Sequence, residues 1–141
     1  MRATPHNQNT IAEFHAKGGL GIAPWGDNVL LMTAKGAKSG EAITTPLVYG
    51  REGDDYVIVA SKGGAPKHPT WFGNLKANPE VEVEVAGAHG TEKFKARARV
   101  ADSRQERDRL YGEMTRIWPA FADYQTRTDR LIPVVILERL G

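Results

Sequence analysis

The chain has 141 residues, room for one domain with a real core, and its charged (26%) and apolar (40%) fractions are those of a soluble globular protein. It has no cysteine, which excludes disulfides, thiolate metal sites and cysteine nucleophiles. A formal charge of +2 gives no support to nonspecific nucleic-acid binding. No apolar run reaches membrane-span length and no secretory signal precedes the first element, so a cytoplasmic location is the default expectation.

Met1 to Thr10 is polar and reads as a mobile start. Thr10-Ile11-Ala12-Glu13 has the capping-box pattern ahead of Phe14, which predicts a short helix over 10–17 ended by Gly18-Gly19. Val29 to Ala34 is the first convincing strand. The turn Lys35-Gly36-Ala37-Lys38-Ser39-Gly40 joins it to a second strand, Ile43 to Tyr49. Pro46 inside that strand cannot donate to a ladder, so it marks an edge, a bulge or a ligand-facing backbone. Asp54-Asp55 closes another hairpin into Tyr56-Val57-Ile58-Val59, a buried strand by composition.

Beyond residue 79 the pattern is regular. Glu80 to Val85 alternates strictly, predicting valines inward and glutamates outward, and Phe94 to Val100 repeats the alternation with basic outer residues. Paired across the Gly87–Gly90 loop, the two strands set glutamate against lysine and arginine. Ser103-Arg104-Gln105-Glu106 is a second capping box, opening a core helix with Leu110, Met114 and Ile117 on one face. Trp118-Pro119 breaks it, Ala120 to Thr126 reads as a short helix, and Ile132 to Leu137 as a last strand. Antiparallel strands with helices confined to connections predict a barrel-like α+β fold.

The stretch from Ala60 to Pro79 holds the chemistry. Gly63-Gly64 stops the preceding strand, Pro69 sits where a first helical residue belongs, and Asn78-Pro79 ends the helix. Backbone N–H groups at such a turn, with Lys62 and Lys67, suit a phosphate or carboxylate; the other reading is a Gly-rich connection with solvated lysines. There is no Walker A sequence and no G-x-G-x-x-G. His6, His15, His68 and His89 lack metal-ligand spacing, and no nucleophile or acid/base pair stands out, which favours a cofactor enzyme or a binding protein.

Three pieces of this stretch carry a resemblance: Ala60-Ser61-Lys62-Gly63-Gly64, Pro69-Thr70-Trp71, and Asn74-Leu75-Lys76-Ala77-Asn78-Pro79. Together they resemble the signature of the deazaflavin-dependent nitroreductase family, actinobacterial oxidoreductases that use coenzyme F420. Thr33 to Tyr49 and Trp118 to Leu137 match as well, so the likeness spans roughly residues 25 to 138. It implies a split β-barrel over 25–141, preceded by an N-terminal segment, 1–24, that lies over the active site or contacts a membrane; the other reading is simple packing on the barrel exterior. Ile11, Phe14, Leu20 and Ile22 would supply the apolar contacts.

The resemblance also implies roles. Coenzyme F420 would be held by Lys35, Lys38, Ser39 and Lys62 at its phosphate and acidic tail. Thr44, Thr45, Pro46, Leu47 and Val48, in the segment that lines the ring, and Val59, Ala60, Ser61 and Gly63 would complete the coenzyme site, with Thr70, Trp71 and Asn74 holding the ring and its linker. Ser61 and Tyr124 would be the catalytic donors, and Trp118, Phe121 and Tyr124 would line the substrate side. The chain departs from the family there, because several tyrosines are replaced by Trp118 and Phe121, which removes donors and makes the pocket more apolar. The expected activity is F420H2-dependent reduction of quinones, enones, unsaturated lactones of the coumarin and aflatoxin type, or nitro compounds, with nitroimidazole drugs the least supported. A homodimer is the expected assembly, since related split barrels dimerise. The alternative is a noncatalytic carrier of a deazaflavin, flavin or haem.

Overall fold

A computed structural model describes residues 5–140. It contains the helices α1 (Pro5–Ala16), α2 (Thr70–Ala77), α3 (Arg104–Ile117) and α4 (Ala120–Thr126). The strands are β1 (Val29–Lys35), β2 (Ala42–Val48), β3 (Gly50–Glu52), β4 (Asp55–Val59), β5 (Glu80–Gly87), β6 (Gly90–Val100) and β7 (Val134–Leu140). They form one antiparallel seven-stranded sheet in the order β2-β1-β5-β6-β7-β4-β3. β2 and β3 are the two edges, yet only Tyr49 separates them in sequence, so the sheet must curl until its edges meet. Chain continuity rather than a hydrogen-bonded ladder joins them. This is the expected α+β split barrel.

Side chains alternate along the strands, and the two faces go to different cores. Leu30 and Met32 of β1, Tyr56 and Ile58 of β4, and Val135 and Leu137 of β7 point into the barrel with Val81, Val83 and Phe94. Phe72 and Leu75 of α2 close one end of it. The intervening residues face outward under helices. Val57, Val134 and Ile136 pack beneath Leu110 and Met114 of α3 and Phe121 of α4. Val29 and Leu31 pack beneath Ile11 and Phe14 of α1, with Ile22. β1, β4 and β7 are thus buried on both faces, which is why they read as unbroken apolar runs.

Several expectations need correction. α1 begins at Pro5, so Thr10 is no cap; it lies inside the helix and is 7% exposed. Proline suits a first turn whose N–H groups lack intrahelical partners, and burial of Ile11 and Phe14 on β1 fixes the rest. The expected mobile start is therefore helical from Pro5, and Met1 to Thr4 lie outside the described residues. Pro69 is the N-cap of α2, one residue before the helix proper, with φ −63° and ψ 150°. Glu84 is not a solvated outer residue. It is 8% exposed and accepts hydrogen bonds from Thr91 Oγ1 (2.6 Å) and, across from α1, His15 Nε2 (3.0 Å). The cross-strand charge pairing is present: Glu80, Glu82 and Glu84 register with Arg97, Lys95 and Lys93. The second capping box forms in part, since Ser103 Oγ accepts from Glu106 N at 3.0 Å while the Glu106 carboxylate turns to Arg99.

Of the four apolar residues of the N-terminal segment, Ile11, Phe14 and Ile22 are buried against β1, as packing on the barrel exterior requires, and only Leu20 is exposed. No helix among the described residues is long and apolar enough to cross a membrane.

Candidate active site

Between the free edge of β2 and the end of β4 lies a cavity of about 570 Å³, within the range typical of small-molecule sites. One wall is β2 from Thr45 to Val48. As an edge strand β2 has a ladder on one side only, so its other backbone groups are available to a ligand. Pro46, opposite Leu31 of β1, is tolerated for the same reason. Ser61, Lys62 and Gly63 form the end of the cavity, and Pro69 and Trp71 the side toward α2. Trp118, Phe121 and Tyr124 of the α3–α4 corner stand on another wall. Asn7 and Thr10 of α1, with Trp25, complete the lining.

The turn after β4 is built by unusual backbone. Lys62, Gly63 and Gly64 adopt φ +47°, +63° and +82° in succession, left-handed values that glycine reaches without steric penalty. Gly64 also has no room for a side chain, because a Cβ there would lie 2.5 Å from the Tyr124 carbonyl oxygen and 3.0 Å from Arg127 Cβ. The glycine pair therefore lets the turn seat directly against α4. The Ser61 side chain makes no cap hydrogen bond to this turn, which leaves the hydroxyl at the cavity.

Lys62 is the only charged lining residue among the described residues; no carboxylate or imidazole shares the cavity. The remaining polar contributions are hydroxyls, one amide side chain, indole N–H groups and backbone. Trp118 Nε1 donates to Tyr124 Oη at 3.4 Å, a long contact that leaves the tyrosine hydrogen free to donate elsewhere. Trp25 packs edge-on against Trp118, ring centroids 6.4 Å apart, and Phe121 does the same to Tyr124 at 5.9 Å. These rings hold one another in place around an otherwise apolar space.

The expected site residues divide in two. Thr45, Pro46, Leu47, Val48, Val59, Ser61, Lys62, Gly63, Trp71, Trp118, Phe121 and Tyr124 come together at the cavity. Thr44 faces away, bonded to Thr33 Oγ1 at 2.8 Å. Ala60 is fully buried in the barrel, and Thr70 is exposed on α2 outside the lining. Asn74 is buried and its Oδ1 accepts from Ala37 N at 3.0 Å, fastening the β1–β2 turn to α2. In that turn Ser39 Oγ accepts from Glu41 N, and Lys38 is exposed. Lys35 borders a separate open depression with Glu80, Glu82 and Lys95.

Sequence reasoning missed Asn7, Thr10, Trp25, Val29 and Pro69 as lining residues; a lone tryptophan in a Gly-rich connection was the one local hint. It also missed Arg130, in the loop before β7. The Arg130 guanidinium donates to the carbonyls of Ser61 (2.7 Å), Ala65 (2.9 Å) and Ala60 (3.2 Å), and Nη1 contacts His68 Nδ1 at 3.1 Å. Burial, then the Arg130 and Lys76 charges, hold the His68 pKa below its ordinary value, so the neutral ring accepts from the arginine.

Comparison with known proteins gives a consistent result. A family model described as F420H(2)-dependent quinone reductase matches residues 7–139. An F420H(2)-dependent quinone reductase of Mycobacterium tuberculosis is 44% identical over 115 residues, 78% of this chain and 72% of that protein. The solved structure of an F420-H2-dependent reductase, FDR-A, is 41% identical with a TM-score of 0.69, covering 79% of this chain and 94% of its own. A solved chain described as a domain-swapped dimer is 37% identical with a TM-score of 0.72, covering 96% of this chain and all of its own. The haem storage protein HutZ of Vibrio cholerae, 13% identical with a TM-score of 0.60 over 96% and 91% of the two chains, shares the fold alone.

Proposed function

This chain belongs to the F420H(2)-dependent quinone reductase family, a family of F420-dependent oxidoreductases, and from that premise we propose that it reduces flat, conjugated acceptors, quinones first, in the cavity at the barrel split. The observation that supports this most is the lining: an edge-strand backbone and a cationic turn on one side, edge-packed aromatics with few donors on the other.

The residues present fit coenzyme F420. A flat polar ring needs a wall of available backbone groups, which the free edge of β2 supplies from Thr45 to Val48, and an aromatic neighbour, which Trp71 supplies. A phosphate needs cation and N–H donors. Lys62 and the turn it sits in would provide them, with Lys38, Ser39 and Lys35 left for an acidic tail beyond the cavity. When bound and reduced, the coenzyme supplies a hydride.

The protein's part is to bind, orient and protect. Reduction of a quinone to the hydroquinone takes one hydride and one proton, and negative charge develops on a quinone oxygen. Among the hydroxyls lining the cavity, Tyr124 Oη and Ser61 Oγ would donate to it, and preorganised donors of this kind are worth most where water is excluded. Trp118 keeps the Tyr124 oxygen occupied as an acceptor, so that its hydrogen points elsewhere. Trp25, Trp118 and Phe121 cover the acceptor side with apolar surface and orient a planar molecule by stacking. Enones, unsaturated lactones and nitro compounds present the same flat shape and a developing oxyanion, and belong to the proposed range after quinones. A homodimer is part of the same reading, supported by the relative described as a domain-swapped dimer.

The test is a fluorescence titration with oxidised F420, with FMN as control, followed by mixing the protein with reduced F420 and a small naphthoquinone. Acceptor-dependent loss of reduced-coenzyme absorbance is expected. Tight F420 binding with no turnover of any acceptor would instead make the protein a carrier.

A further inference from the structure

Arg130 lies outside the cavity lining, but its guanidinium holds three carbonyls of the segment whose inner face is the cavity's cationic end. We propose that Arg130 is a positioning residue for the coenzyme: by drawing the Ala60 and Ser61 carbonyls outward it aims the N–H groups of Ser61 and Lys62 at the bound anion. The inference rests on the F420 reading and names how that site is set.

A trans peptide is planar, with its N–H pointing opposite to its C=O. The Ser61 carbonyl is fixed at 2.7 Å from Nη2 and the Ala60 carbonyl at 3.2 Å from Nη1. The N–H groups of Lys62 and Ser61, the other halves of those peptide units, are therefore directed away from the guanidinium. Within the turn, Gly64 N bonds Ser61 O and Ala65 N bonds Lys62 O. The N–H groups of Ser61, Lys62 and Gly63 meet no protein acceptor among the described residues, although Ser61 is buried. A run of such donors beside a lysine makes an anion-binding concavity. Lys62 takes a positive φ there without being glycine, a conformation that surrounding contacts must impose. Arg130 supplies those contacts, because a rigid planar fork can meet several carbonyls at once where an ammonium cannot.

Arg130 is itself anchored on the acceptor side. Gln125 of α4 donates from Nε2 to the Arg130 carbonyl (2.8 Å), and its Oε1 accepts from Ile132 N (3.0 Å) and from Nη2 of the buried Arg107 (2.6 Å). The loop carrying the arginine is thus tied to the helix carrying Phe121 and Tyr124. A residue meant only to glue the loop down would not need its fork turned onto the signature turn.

The experiment uses Arg130→Lys in the full chain. The first readout is amide hydrogen exchange of the coenzyme-free protein, and the second is the F420 dissociation constant by fluorescence. Faster exchange confined to 60–68, with F420 affinity weakened about tenfold at an unchanged acceptor KM, is expected from the lost charge-assisted bonds. A merely structural role would lower Tm yet leave F420 affinity of the folded protein unchanged, and that result overturns the proposal. Unchanged exchange at 60–68 overturns it as well. If Arg130→Lys does not fold, Arg130→Ala is examined with and without millimolar guanidinium; recovery of fold and affinity by the small cation supports the fork, and no recovery refutes it. Wild-type protein that does not bind F420 removes the coenzyme role from both readings. Altered exchange at 60–68 with intact wild-type binding but unaltered variant affinity removes only this one.

Discussion

Gly63 and Gly64 are adjacent and both left-handed, but alanine at the two positions should behave very differently. At Gly63, φ is +63° and a Cβ would meet nothing within 4 Å, so Gly63→Ala carries only the left-handed penalty, about 1–2 kcal/mol. At Gly64, φ is +82° and the Cβ would lie 2.5 Å from the Tyr124 carbonyl oxygen and 3.0 Å from Arg127 Cβ. The first obstacle is helix backbone, which gives way only if α4 as a whole shifts, so overpacking adds roughly 1–3 kcal/mol to the same conformational term. Any gain from stiffening the unfolded chain is common to both substitutions and cancels in the comparison. Urea unfolding of both variants measures the difference, with the m-value checking that each still unfolds as the wild type does. Gly64→Ala should be the less stable by about 1–3 kcal/mol, or roughly 3–10 °C in Tm at this chain length. It should also push α4 away and so disturb the Tyr124 side of the cavity. Equal losses at the two positions would refute the reasoning, because they would mean that the turn and α4 are not in the contact described.

Three other outcomes test separate parts of the structure. Asn74→Ala should cost about 1–2 kcal/mol and raise hydrogen exchange in residues 36–40, since the tether from Asn74 Oδ1 to Ala37 N is lost. Lys62→Ala should weaken F420 binding by about tenfold and Lys38→Ala by less than about threefold, because only Lys62 lines the cavity; the reverse order would place the phosphate in the β1–β2 turn. Burial alone would raise the Glu84 pKa, but hydrogen bonds from Thr91 and His15 and the nearby charges bring it below the ordinary 4.5. A depressed carboxyl stabilises the fold fully above that value and loses its contribution as pH falls through the folded pKa. Glu84→Gln should therefore flatten the acid limb of a Tm-against-pH curve below about pH 4.5, and an unchanged limb would remove Glu84 from the account.

Local chemistry made much of this molecule readable. The β5–β6 hairpin follows from alternation, α3 begins where Ser103 can cap it, and the signature turn ends β4 because glycine reaches the backbone it needs. Pro46 was informative for a physical reason, since a missing N–H is harmless only at an edge. What local sequence does not carry is decided at a distance. Thr10 has the sequence of a cap but sits mid-helix, because packing of Ile11 and Phe14 on β1 sustains a helix from Pro5. Glu84 belongs to the outward face of its strand, yet the end of α1 covers that face and His15 meets it. Arg130 has no local signal at all: a loop arginine resembles any solvated cation until the fold brings residues 60, 61 and 65 to it. Trp25, Asn7 and Thr10 reach the cavity by the same kind of long-range closure.

The cavity's two sides come from different stretches of chain. On the proposed reading the coenzyme side is encoded within residues 45–71, whereas the acceptor side is assembled from 7–29 and 118–124. Descendants of one ancestral gene could thus exchange acceptor preference by changes at the extremities while inheriting coenzyme chemistry intact from the middle. The two are not wholly independent. Where Gly64 lies against the Tyr124 backbone, there is no slack, so diversification should be free in the side chains of α4 and constrained in the placement of its backbone.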